Sequence, residues 1–181
     1  MAVKKQYRPI VGAASKAAGI IGVPGAFSFG LDVTVMSGIW AAMIISICAK
    51  SNHKVDKTFA LKIATGVLSG VAAYVGGSKI AMKLLHLIPG AGSIAAIGVN
   101  STLNYLFTYK LGHAFSNLFD RGEFDDEDVK GLVMTLLTLV AAFPTLDEIG
   151  DMASLATEPV DESLVRTFKS GHPVGPGPLR F

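Results

Sequence analysis

Apolar positions along this chain gather in long uncharged runs instead of alternating with polar ones. Four stand out, at 33–49, 63–78, 84–109 and 131–146, with lengths of 17, 16, 26 and 16 residues. They are rich in Ala, Leu, Met and Ile and lack the period-two pattern of a half-buried strand, so they predict helices. No segment reads as two strands joined by a tight turn. The expected fold class is therefore all-α. A helix needs about 20 apolar residues to cross a bilayer core. Three runs are marginal by that measure. The longest is interrupted by Pro89-Gly90, where proline removes a backbone donor and clashes with the preceding turn.

An internal echo organises the first two thirds of the chain. Ile20-Ile21-Gly22-Val23-Pro24-Gly25-Ala26 resembles Leu85-His86-Leu87-Ile88-Pro89-Gly90-Ala91, and a long apolar segment follows each. Similarity of this kind suggests a repeated supersecondary unit. The unit here is helix, Pro-Gly turn, helix, with Pro24-Gly25 and Pro89-Gly90 as the two tips. Within the segment before the second tip, small residues recur every fourth position: Thr65, Ser69, Ala73, Gly77 and Ala81. Gly66 and Gly70 form a GxxxG pair beside them. Glycine costs a helix about 1 kcal/mol relative to alanine. Such a ladder therefore asks for a packing reason, and close helix–helix approach supplies one.

From Asp120 the chain turns acidic. Asp125 or Asp126 is placed to cap a helix from Glu127 to about Phe143, with its acids at the positive end. Pro144 ends that helix, and Thr145 or Asp147 starts a short one towards Ala156. The final segment, 170–181, holds three prolines and three glycines and is expected to be extended, either disordered or laid along a partner. Three regions follow: a basic hairpin domain over 1–119, an acidic helical region over 120–169 and a Pro/Gly-rich tail over 170–181.

Composition sharpens this division. Half of the 181 residues are hydrophobic, 17% are charged, and the mean hydropathy is +0.48. Residues 1–119 carry eleven Lys/Arg against two acids, Asp32 and Asp56, whereas 120–181 carry five against twelve acids. One reading is a basic apolar half facing an anionic leaflet and an acidic half facing water. The other is two halves of one bundle attracting each other. Cys48, the single cysteine, reads as a small core residue. The basic start of the chain reads as mature sequence, since Lys16 and several glycines interrupt the stretch behind it.

Few residues invite chemistry. The acidic run from Asp120 fails as a calcium loop, because Gly122 and Phe124 stand where oxygen ligands belong. His53, His86, His113 and His172 are too far apart for paired helix ligation, so no metal or cofactor is expected. Pro89-Gly90-Ala91-Gly92-Ser93 lacks the Lys and the spacing of a phosphate loop. Basic residues are not interleaved with aromatic platforms, which argues against nucleic acid. Asp32 starts an apolar run, as an intramembrane carboxylate or as a helix cap. Asn100 and Asn104 lie four apart in an apolar helix, as interhelical hydrogen-bonding groups or as the lining of a polar path.

The stretch from Val23-Pro24-Gly25 through Asp32 and Met43-Ile44, then Ile88-Pro89-Gly90-Ala91-Gly92-Ser93, and on to Thr108 and Lys110-Leu111-Gly112, resembles the YcjF-type domain of unknown function. The resemblance covers roughly residues 20–120. It implies an α-helical, membrane-associated bacterial module on the cytoplasmic side of the inner membrane, with a small GTPase as a possible partner. It implies no catalytic residues. The expected function is non-enzymatic: a membrane-associated module that assembles through small-residue helix packing, as a homo-oligomer or with a protein partner. A soluble helical interaction protein and a pore former are the rival expectations.

Overall fold

The computed structural model describes residues 2–21, 29–76 and 99–175, with the side chains of 29–32, 73–76 and 99–100 outside the description. These residues form α-helices and connectors only: α1 (Arg8–Ile21), α2 (Phe29–Lys50), α3 (Lys57–Gly76), α4 (Val99–Arg121), α5 (Val129–Ala141), α6 (Leu146–Thr157) and α7 (Glu162–Lys169). The fold is all-α, with no strand among the described residues.

Local chemistry sets the helix ends. Asp128, Thr145 and Asp161 are the N-caps of α5, α6 and α7, each accepting a backbone N–H of the first turn. The α5 cap is thus Asp128, not Asp125 or Asp126; the acidic cluster starts the helix, but its last member does the capping. Thr145 and Glu148 form a reciprocal capping box. Three helices close on a left-handed residue: Asn52 after α2, Gly122 after α4 and Gly171 after α7. In each case the next amide reaches back to a last-turn carbonyl, at 2.9 Å from His53 to Cys48, 2.9 Å from Glu123 to Leu118 and 3.1 Å from His172 to Thr167.

α1 is the hub. Ile10, Val11, Gly12, Ala13, Ala14, Ser15, Ala17 and Ala18 are all buried, so nearly its whole circumference is covered. Its small side chains let α4 and α7 come close on different sides, with α2 and α6 also in contact. α1 and α4 run antiparallel: Gly112 lies against Val11, and Gly19 against Ser101 and Tyr105. α2 runs parallel to α4, since Trp40 Nε1 donates to Thr108 Oγ1 at 2.8 Å and Met43 abuts Gly112. The short 51–56 connector turns α3 back along α2. α5 lies parallel to α3, with Val133 over Gly66 and Leu137 over Gly70.

One consequence of this topology is polar. Ile21, Phe29, Gly76 and Val99, the described residues that bound 22–28 and 77–98, all lie at the same end of the bundle. The start of α1, the α2–α3 connector and the acidic 120–128 stretch lie at the other. The charged end holds Lys4, Arg8, Lys50, Lys54, Asp56 and Lys57 together with the acids of 120–128. Two exposed large hydrophobics lie near the opposite, apolar pole, and the others lie on the flank of the bundle. Ile20 is in the last turn of α1, Val35 is in the second turn of α2, and Leu139, Phe143 and Leu146 are at the far end of α5 and just beyond; Met134, midway along α5, completes the set.

Candidate functional site

The GxxxG pair of α3 has an occupant within the chain. A Cβ at Gly66 would stand 3.0 Å from Val133, and one at Gly70 would stand 2.5 Å from Leu137. Val133 and Leu137 are four apart on α5, so both fall on one face and enter the groove together. The spacing-four ladder beside it is placed differently. Thr65 and Ser69 are exposed, and Thr65 Oγ1 donates to the Leu61 carbonyl of its own helix at 2.6 Å. The Ala73 side chain lies outside the described set, as do Gly77 and Ala81. Pro24, Gly25, Pro89 and Gly90 also lie outside it. Asp32 and Asn100 sit in the first turns of α2 and α4 with their side chains outside it. Asn104 lies one turn further along α4, half-buried, and its Nδ2 finds no partner among the described residues.

Sequence reasoning overlooked the polar seam where α6 crosses α1 and α4. Asp151 is its centre. The Val3 amide and the Tyr109 hydroxyl each donate to Asp151 Oδ2 at 2.9 Å, and the Arg8 guanidinium donates to Oδ1. Burial alone would raise this carboxyl, but those three donors hold it below its ordinary range. Arg8 also reaches Glu158 at 2.5 Å, and the Lys16 ammonium caps the Glu158 carbonyl at 2.5 Å. Burial, and then the facing Asp151 carboxylate, push the Tyr109 phenol up. The basic and acidic halves of the chain therefore meet as one bundle at this seam. A further ion pair, Lys4–Asp120 at 2.7 Å, joins them at the charged end.

One turn away on α4 lies a second polar group. His113 stacks on Tyr109 and faces Glu148 of α6 through Nδ1 at 3.3 Å, while Asn117 Nδ2 meets its Nε2 at 3.1 Å. The His113 hydrogen bond holds Glu148 down to about 2 against the opposing cost of burial, helped by the Thr145 amide and Lys110. Lys110 is itself buried, which lowers its pKa, and its ammonium donates to the Ala142 carbonyl at the end of α5. With a folded value near 2 against an ordinary 4.5, Glu148 contributes stability that is complete above pH 4.5. That contribution is lost as pH falls towards 2. Urea unfolding between pH 2 and 6 is expected to show a shallower pH slope for Glu148→Gln than for the parent; equal slopes would remove the His113–Glu148 contact from the account.

The remaining candidates are quieter. His53 sits among Phe119 and Phe124, with Asp126 at 3.1 Å, and joins the α2–α3 connector to the acidic stretch. Burial pushes the Cys48 thiol up to about 12. A groove of about 910 Å³ opens beside the seam, floored by Pro9, Leu155, Pro159 and Leu164. Arg8 and Glu158 on its wall are engaged with each other, which leaves apolar surface with Lys5 and Asp161 as further charged lining residues. Among the described residues no group of three or more His, Cys, Asp or Glu is placed to hold a metal ion.

One described helix is long and apolar enough to cross a membrane, Val33–Lys50 in α2, with mean hydropathy 1.7. The chain's own helices bury 61% of that segment, and the core helix of a soluble bundle has the same length and composition. The class that fold and site define is a helical bundle with one apolar and one charged pole. Comparison with known protein families, curated proteins and solved structures finds no match.

Proposed function

We propose that this chain is a non-enzymatic helical module that docks on an anionic membrane leaflet by its apolar pole, without α2 crossing the bilayer. The observation that carries this reading is the convergence of Ile21, Phe29, Gly76 and Val99 at one end of the bundle. The segments they bound, 22–28 and 77–98, contain Lys79, Lys83 and His86 and no acid. Basic side chains in an apolar stretch suit a leaflet surface, with apolar groups in the acyl boundary and ammonium groups among the headgroups. The charged pole would then face water. The likeness of residues 20–120 to the YcjF-type family adds only a class of partner to try, a small GTPase.

Sedimentation with vesicles tests the reading. Binding is expected to phosphatidylcholine/phosphatidylglycerol vesicles and to weaken with salt. Each lysine near an anionic surface contributes about 1 kcal/mol, so Lys79→Gln with Lys83→Gln is expected to weaken binding by roughly thirtyfold. A monodisperse protein in plain buffer with no affinity for such vesicles would leave the second reading, a soluble interaction protein. The extensive burial of α2 by its own chain is the observation that favours it.

A further inference from the structure

We infer that residues 162–175, α7 and the start of the tail, are a detachable flap, and that the groove they cover on α1 and α2 also accepts this segment from a second copy of the chain. α6 and α7 are held to the bundle in different ways. α6 ends on polar anchors: Arg8 donates to the Glu158 carboxylate at 2.5 Å, and Lys16 to the Glu158 carbonyl at 2.5 Å. Pro159 and Asp161, directly beyond, are exposed. The polar bonds of α7 stay within the segment and its cap. Asp161 caps its start, Arg166 donates to Glu162 at 3.1 Å, and Thr167 donates to the Ser163 carbonyl at 2.8 Å. Among the described residues one hydrogen bond ties 162–175 to the rest of the molecule, from the Val174 amide to Ser46 Oγ of α2 at 2.8 Å.

The seat is shaped for this segment. Phe168 is fully buried, and Leu164 and Val165 pack half-buried on the same face of α7, while Glu162, Ser163, Arg166 and Lys169 are exposed. The helix packs against both α1 and α2. At its end Gly171, in left-handed backbone, turns the chain on to α2. Gly38 meets it there backbone to backbone: a Cβ at Gly38 would stand 3.8 Å from the Gly171 Cα. Val174 reaches Ser46, about two turns further along α2. Ser46 Oγ donates to the Ala42 carbonyl at 2.7 Å, which leaves its lone pairs for the Val174 amide. The tail expected to lie along a partner thus begins by lying along its own chain.

The same features make the segment separable. A helix of eight residues is marginal in water on its own, so α7 keeps its form only while seated. The Arg166–Glu162 pair is exposed on both sides and adds little. Release of the flap is therefore a local unfolding, at lower cost than opening the bundle. The groove of about 910 Å³ lies at the foot of α7, between Pro9 and Leu164, and gives the hinge at 159–161 free space. Every copy carries the same segment, so a surface that fits it within one chain fits it from another, the relation that underlies segment exchange between protomers.

Hydrogen exchange on the unaltered full chain reads the detachment. Amides of 165–172 are expected to exchange at least about a hundredfold faster than those of α1, at a rate that low urea leaves nearly unchanged, because a local opening exposes little surface. Equal protection of the two helices with the same urea dependence overturns the flap. The full chain carrying Phe168→Ser loses the anchor of its own flap and keeps the groove; circular dichroism is expected to retain the signal of the other helices. Collapse of that signal also overturns the flap. A fluorescent peptide of residues 159–175 stands in for the segment of a second copy. It is expected to bind the Phe168→Ser chain at least about tenfold more tightly than the parent, whose own flap competes. The same peptide carrying Phe168→Ser is expected not to bind. Absence of peptide binding to the Phe168→Ser chain, or binding that the peptide's own substitution leaves unchanged, overturns the acceptance of a second copy.

Discussion

Asp151→Ala is expected to lower the free energy of unfolding by about 3 kcal/mol, the lower part of the range for stripping one partner from a buried ion pair. The substitution leaves the Tyr109 hydroxyl and the Val3 amide, both in buried surroundings, without their acceptor. Arg8 keeps Glu158, which is why the upper part of the range is not reached. Asp151→Asn retains an acceptor oxygen and separates hydrogen bonding from charge; it is expected to lose less than the alanine variant. Urea unfolding followed by circular dichroism at pH 7 measures both. An alanine variant within about 0.5 kcal/mol of the parent would mean that α6 is held by its apolar face alone.

Gly112→Leu is expected to cost about 3 kcal/mol or more, the overpacking penalty of a site with no room. A Cβ here would stand 2.8 Å and 2.9 Å from the two methyls of Val11 and 3.0 Å from the Met43 sulfur. Val11 and Met43 are fully buried on two different helices, and the β-branched Val11 has little rotamer freedom to yield. Gly112 is thus a point where α1, α2 and α4 meet without room for a side chain. By contrast, Gly150→Ala meets none of the described residues within 4 Å and is expected to stabilise α6 by up to about 1 kcal/mol through helix propensity. The pair of thermal unfolding curves distinguishes glycine as a spacer from glycine as a mere weakness. Equal destabilisation of both variants would sink the distinction.

The helices were legible because uncharged runs of this length, broken by Pro and Gly, leave few alternatives. The Pro144 break, and a helix start at Thr145 or Asp147, were legible for the same local reason; the cap is Thr145. The short α7 was passed over, although Asp161 and Glu162 at its start and Arg166 and Lys169 at its end complement a helix dipole. Eight residues carry too little periodicity to announce themselves beside longer runs. Gly66 and Gly70 face Val133 and Leu137 of α5, in each case 67 residues further along, and spacing within one segment carries no address. The seam was invisible for a stronger reason. Arg8, Tyr109, Asp151 and Glu158 are ordinary residues in sequence, and only the crossing of α6 over α1 and α4 makes them a unit.

The order in which the chain emerges during synthesis gives the hub helix a particular history. α1 is made before the helices that cover it: Val3 waits for a partner 148 residues downstream and Arg8 for one 150 residues downstream. At about 5–20 residues per second, that interval is roughly 7–30 s. Throughout it, a helix with almost no polar face has α2 and then α4 to lean on, but not the α6 and α7 that complete its cover. Loop closure over such distances is slow relative to local helix formation. The nascent protein therefore presents an apolar helix to its surroundings for longer than the mature one ever does.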